Sequence, residues 1–180
     1  NEFLNDRRVI DIFKPFWWII LNFIILSFRP LKTAQAYKRI WHVKKGSPLK
    51  YMTSNQTKKL KQEFKKLNKV ELEYAMRYGN PSIKSKLDFL FNLGCSKILI
   101  MPLYPQYSAS TTASVQDEVF KWLLNKRWQP SIRTVPPWYD EKNYIKTICK
   151  SIEKSFKKNG IPEALLISFH GIPKRYLLLG

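Results

Sequence analysis

The chain has 180 residues and is 44% hydrophobic, which excludes a disordered tail and is enough for one domain with its own core. Its 32 Lys and Arg against 13 Asp and Glu leave a formal charge of +19, favouring polyanions, anionic membrane surfaces or anionic small molecules as partners. Cys95 and Cys149 lie far apart without a C-x-x-C pattern, arguing against a disulfide framework or a zinc site and for small buried residues in a reducing compartment.

No signal peptide is visible, and the chain starts without Met and stops just after a dense motif, so both ends are expected to be cut. Residues 12–28 (IFKPFWWIILNFIILSF) are mostly apolar. A bilayer span needs ~20 such residues, and this run is shorter and interrupted by Lys14, Pro15 and Asn22. It reads as a helix pair with an exposed apolar lip. Trp17 and Trp18 suit a membrane interface, with Arg7, Arg8, Lys14, Arg29 and Lys32 placed to attract anionic lipid. The alternative, that the Trp pair is core, stays open.

Residues 54–69 carry Leu60, Phe64 and Leu67 at helical spacing, with a charge run that reads as a solvated face. From residue 70 strands alternate with helices. The strand expected at 70–76 (VELEYAM) runs into the turn Arg77-Tyr78-Gly79-Asn80-Pro81. Ser82 caps a helix ended by Gly94. A strand at 97–103 leads into a polar loop at 104–112, then a helix at 113–127. A strand at 131–135, an amphipathic helix at 141–158 and a strand at 164–169 (ALLISF) follow, the last running into His170-Gly171-Ile172-Pro173.

This alternation predicts an α/β fold, a Rossmann-like parallel sheet flanked by helices. Ligands bind beyond the carboxyl ends of such strands. Arg77-Tyr78, the 104–112 loop and the segment from His170 to Tyr176 should therefore share one edge. A neutral imidazole at His170 can accept a proton or bind a transition metal. Arg29 and Arg77, with tyrosines 37, 78, 104 and 107, suit a flat anionic aromatic ligand, because Arg pairs with carboxylates and stacks on rings. For any single tyrosine, ordinary packing is the simpler reading. No Gly-rich phosphate loop is present. His42 reads as a surface residue.

Five segments resemble ferrochelatases: FLNDRRVID at 3–11, GSPL at 46–49, AMRYGNPSI at 75–83, PLYPQYSASTTAS at 102–114 and LLISFHGIPKRY at 165–176. Their order matches as well, and the tryptophan pair is similar to the bacterial, membrane-facing members. The resemblance implies a chelatase-like fold of two lobes with the porphyrin between them. Residues 1–50 would form the apolar lip and 51–180 one Rossmann-like lobe, with the first strand and the second lobe absent from this chain.

By resemblance, His170 takes pyrrole protons or ligates the metal. Arg29, Tyr37 and Ser47 contact the porphyrin, with Arg29 on a propionate. Arg77 and Tyr78 lie on the cleft floor, and Tyr107 and Ser108 belong to the PQYS stretch lining it. Some relatives carry a cysteine where this chain has Ala109, so no iron–sulfur cluster and no permanently bound cofactor is expected. The implied activity is a lyase-type insertion of Fe²⁺ into protoporphyrin IX, both being substrates, in a cytoplasmic monomer peripheral to the inner face of the cell membrane. With one wall of the cleft missing, the chain alone should be a poor catalyst. Two other readings stay open. One is a chelatase for coproporphyrin or cobalt. The other is a basic nucleic-acid-binding domain, which the lack of any such motif disfavours.

Overall fold

Leu87, Ile98, Val119 and Trp122 bury together and form the core of the protein in a computed structural model that describes residues 2–67 and 70–179. Asn68 and Lys69, the end of the helix expected at 54–69, lie outside the described residues, as do Asn1, Gly180 and the side chain of Lys32, one of the bases expected to meet lipid.

The chain runs α1 (Glu2–Asn5), α2 (Lys14–Ile19), a π-helical turn (Ile20–Ile25), α3 (Leu26–Ile40), α4 (Pro48–Phe64), α5 (Ile83–Asn92) and β1 (Lys97–Ile100). A second π-helical turn (Ala109–Ala113) leads into α6 (Ser114–Leu124), followed by β2 (Ser131–Thr134), α7 (Lys142–Asn159) and α8 (Lys174–Leu179). β1 and β2 pair in parallel, Lys97 opposite Ser131 through Ile100 opposite Thr134, with α6 in the connection between them. α5 and α6 pack on each other and bury Ile98 of β1. The protein is thus mixed α/β with an open parallel sheet flanked by helices.

The sheet is smaller than the sequence predicts. The segments 70–76 and 164–169 are not strands. In the first, Glu73 is drawn to Lys61 of α4 and Lys86 of α5, at 2.5 and 2.6 Å, rather than its backbone to a neighbouring strand. In the second, Leu165, Leu166, Ile167 and Phe169 remain 53–92% exposed. Strand pairing is a long-range contact that nothing local enforces, and neither segment has found an edge.

Helix ends follow local chemistry. The Ser82 hydroxyl accepts from the Ser85 N–H at 3.2 Å, and Glu141 caps α7 by accepting from the Tyr144 N–H at 3.0 Å. Gly94 and Gly160 follow α5 and α7 with φ of 81° and 86°, a region that costs a side chain energy but not glycine.

Two expectations change in the amino-terminal part. The apolar run forms one helical stretch from Lys14 to Ile40, not a helix pair. No glycine precedes Gly46, Pro15 sits in the first turn, and the helix runs on through the π-turn and past Pro30 without a break. α4 starts earlier than predicted, with Ser47 as N-cap and Pro48 in the first turn, and Leu60, Phe64 and Leu67 are not buried. Its buried residues are Thr53 and Thr57, whose hydroxyls donate to the carbonyls of Leu49 and Thr53 and so lose little by leaving water. The two tryptophans diverge. Trp17 is half-buried and donates to the Leu4 carbonyl at 2.8 Å, while Trp18 is 58% exposed against the edge of Phe23. Cys95 packs against the core, whereas Cys149, expected to be buried, lies exposed on α7. Among the described residues, no helix is long and apolar enough to cross a membrane.

Candidate functional site

The turn after α1 places Asp6 where its Oδ1 accepts from the Arg8 N–H at 2.8 Å, an Asx-type turn that fixes the carboxylate. Oδ2 is then met by three donors from two distant segments: Arg77 Nη2 at 2.6 Å, the Tyr78 hydroxyl at 2.8 Å and the Ser114 hydroxyl at 2.5 Å. Arg77 also donates through Nε to Ser114, at 2.7 Å to the hydroxyl and 3.0 Å to the carbonyl. Its guanidinium lies 4.4 Å from the centre of the Tyr78 ring, which also makes a T-shaped contact with Phe3. Alongside, Arg8 grips Asp117 of α6 with Nε at 2.8 Å and Nη2 at 3.1 Å.

This network joins three of the motif segments, 3–11, 75–83 and 102–114. It does so through side chains rather than strand ends, since 70–76 forms no strand. Burial works against the charge on Asp6, but the Ser114 hydroxyl, the Arg8 N–H, Tyr78 and Arg77 outweigh it and hold the carboxyl below the usual range. Burial pushes the Tyr78 phenol up, helped by the bond to Asp6, and burial does the same at Tyr104. Arg77 faces two carboxylates, Asp6 and, at 3.6 Å, Glu118, so its charge is locally matched.

Ser108 is half-buried and caps the second π-turn. Its hydroxyl accepts from the Ser110 N–H at 3.3 Å and lies 2.9 Å from the Ser110 hydroxyl. Tyr107, one residue earlier, is 47% exposed. Trp138 ties this loop down, its backbone N–H reaching the Pro105 carbonyl at 3.0 Å. Arg29 and Tyr37 sit exposed on α3, about two helical turns apart. Ser47 is half-buried, and its side chain makes no cap bond to α4. His42 is exposed, with Nδ1 accepting from the N–H groups of Lys44 and Lys45.

His170 is exposed in a stretch without secondary structure. Among the described residues no hydrogen bond, ion pair or ring contact joins it to Arg77, Tyr78, Tyr107 or Ser108. Its motif is tethered instead by Arg175 on α8, which donates to the Asp11 carbonyl at 3.1 Å and lies 3.6 Å from that carboxylate. The fifth motif segment thus meets the first, but at the far end from the Asp6 network. Among the described residues no group of three or more His, Cys, Asp or Glu side chains is placed to hold a metal ion. An open groove of about 430 Å³ runs along the amino-terminal segment between Leu4, Ile10 and Trp18.

Asp6, Ser114 and Asp117 do not stand out in the sequence reading. Their one signal is membership of the motif segments 3–11 and 102–114, or adjacency to them. No spacing rule pairs residues that lie 108 positions apart, as Asp6 and Ser114 do.

The ferrochelatase family profile matches residues 1–180. A ferrochelatase of Allorhizobium ampelinum is 48% identical over 182 aligned residues, covering 100% of this chain and 53% of the relative. Ferrochelatases of Francisella tularensis subsp. tularensis and subsp. novicida are each 49% identical over 178 residues, 98% of this chain and 53% of the relative. The chain spans about half the length of the curated relatives it matches.

Proposed function

Since the chain belongs to the ferrochelatase family, matched over its whole length, we propose that it supplies one wall of a site where Fe²⁺ enters protoporphyrin IX in haem biosynthesis. The observation that carries this reading is the joining of three family motif segments around Asp6. It brings Arg77 and Tyr78 together, a cation and an aromatic hydroxyl suited to an anionic macrocycle. Tyr107 and Ser108 line the same wall. Arg29 pairs with a propionate, and Tyr37 and Ser47 add porphyrin contacts.

Insertion replaces two pyrrole N–H bonds by bonds to one Fe²⁺ and releases two protons. His170 accepts a pyrrole proton, or guides the metal, in its neutral form, and passes the proton to solvent, with which its side chain is in contact. No resident cofactor takes part. Ala109, where some relatives have cysteine, offers no thiolate for an iron–sulfur cluster.

The exposed Phe16, Trp18 and Phe23 lie near Lys14 and form an apolar edge that rests on the cytoplasmic face of the membrane, from which the less polar protoporphyrin arrives. The protein acts as a monomer and binds no nucleic acid.

The test is made on the full gene-encoded protein. His170→Ala should leave protoporphyrin binding, read by absorbance titration, within about threefold of the original. Iron insertion should fall by ~10²–10⁴-fold, the usual contribution of a general base. Insertion at an undiminished rate removes His170 from the mechanism, and a protein that ignores porphyrin overturns the reading as a whole.

A further inference from the structure

We propose that Asp6 is the positioning residue of the porphyrin-facing wall, its carboxylate setting both the guanidinium of Arg77 and the hydroxyl of Tyr78. This rests on the reading of Arg77 and Tyr78 as porphyrin contacts, and adds to it the group that orients them. Asp6 touches no substrate in this scheme and acts only through its two partners.

The argument begins with how each donor is committed. Arg77 gives Nε to Ser114 and Nη2 to Asp6. The clamp therefore holds the guanidinium by its Nε–Nη2 edge. Tyr78 has a single hydroxyl proton and gives it to Asp6 at 2.8 Å. Its oxygen also lies 3.3 Å from the Ser114 hydroxyl, and its ring packs against the Arg77 cation and, in a T-shaped contact, against Phe3. A neutral side chain at position 6 cannot do both jobs. An amide oxygen accepts more weakly, and its NH₂ would face either the Arg8 N–H or, turned over, the donors of Arg77, Tyr78 and Ser114.

Burial makes the arrangement consequential. The side chains of Asp6 and Arg77 are 7% and 14% exposed, so neither charge is freely solvated if the other is lost. Water cannot readily replace the lost partner, and Arg77 would turn towards its remaining carboxylate, Glu118, now 3.6 Å away. Ser114, 0% exposed, closes the clamp from α6 and forces Asp6 and Arg77 to share one site. The neighbouring Arg8–Asp117 pair is a different device. It is 46% and 35% exposed and ties the same two chain segments together without touching Arg77 or Tyr78.

That contrast supplies the control. The experiment compares the full gene-encoded protein with its Asp6→Asn, Ser114→Ala and Asp117→Asn variants. Protoporphyrin IX affinity is read by quenching of tryptophan fluorescence, and the order of Arg77 by its Nε–Hε resonance in nitrogen-15 NMR. Asp6→Asn should weaken porphyrin binding by about tenfold and broaden or shift the Arg77 resonance. Ser114→Ala, which keeps the ion pair, should cost about threefold and serves if Asp6→Asn does not fold. Asp117→Asn should leave affinity and the Arg77 resonance unchanged. Equal affinities for Asp6→Asn and Asp117→Asn, or an Arg77 resonance unmoved by Asp6→Asn, overturn the positioning role alone. No binding by the unaltered full protein overturns the functional reading and this inference with it.

Discussion

The Asp6 network and the His170 segment carry equally dense family motifs and are built in opposite ways. Around Asp6, residues more than 70 positions apart meet in hydrogen bonds of 2.5–2.8 Å. Around His170, an apolar stretch lies open, with Leu166 92% and Phe169 78% exposed, and one arginine provides the tether. The difference is one of chemistry. A buried carboxylate with three donors is satisfied by a few side chains and closes on itself. An apolar strand needs both a free sheet edge for its backbone and a covering face for its side chains, and two partners are harder to bring than one.

The contrast can be broken or sharpened by measuring stability site by site. Trp122→Ala should have the largest effect, about 3–5 kcal/mol in urea unfolding, because it opens a cavity in the core and takes the indole donor, at 2.8 Å, from Asp88, which keeps Lys126. Asp6→Ala should cost about 2 kcal/mol by leaving Arg77 and Ser114 short of their acceptor.

The same carboxylate predicts a pH effect. Its folded pKa lies below the ordinary value, so its contribution is fully present above the unfolded carboxylate pKa and disappears as pH falls through the folded one. Acid unfolding followed by circular dichroism should therefore begin at higher pH in a variant whose network is already cut, such as Ser114→Ala. Coincident acid curves would break the assignment.

Glu73→Gln should cost about 1 kcal/mol, since Lys61 and Lys86 are partly solvated and lose less when unpaired. His170→Ala should change stability by less than about 0.5 kcal/mol, the ordinary range for an exposed side chain without partners. A loss matching that of Asp6→Ala would mean that the segment is packed in solution, and the contrast between the two regions would vanish. Hydrogen exchange sharpens it further: amides in 97–100 should be protected and those in 164–169 should exchange quickly.

What could be read from the chain in advance tracks how local the cause is. The cap at Ser82, the stop at Gly94, the helix expected at 141–158 and the strands at 97–100 and 131–134 all stand where residue chemistry places them within a few positions. The strands expected at 70–76 and 164–169 were equally plausible by composition, yet remain unpaired because an edge is not a local property. On α4, apolar spacing pointed to Leu60 and Phe64, while burial went to two threonines with satisfied hydroxyls. For the site, Arg77 and Tyr78 were legible because a turn after an apolar stretch announces a loop. Asp6 was not, since a lone aspartate beside two arginines reads as an ordinary surface charge.

By itself, the order of residues determined the helices at 83–92, 114–124 and 142–159, the strands at 97–100 and 131–134, and the motif segments that place this chain among the ferrochelatases. Only the tertiary structure decided that Asp6, Arg77, Tyr78 and Ser114 share one buried point, that Trp17 turns inward while Trp18 turns out, and that His170 stands in solvent. Caps and turns depend on neighbours a few residues away. Burial of a charge depends on which distant donors arrive to meet it, and that is a property of the folded chain.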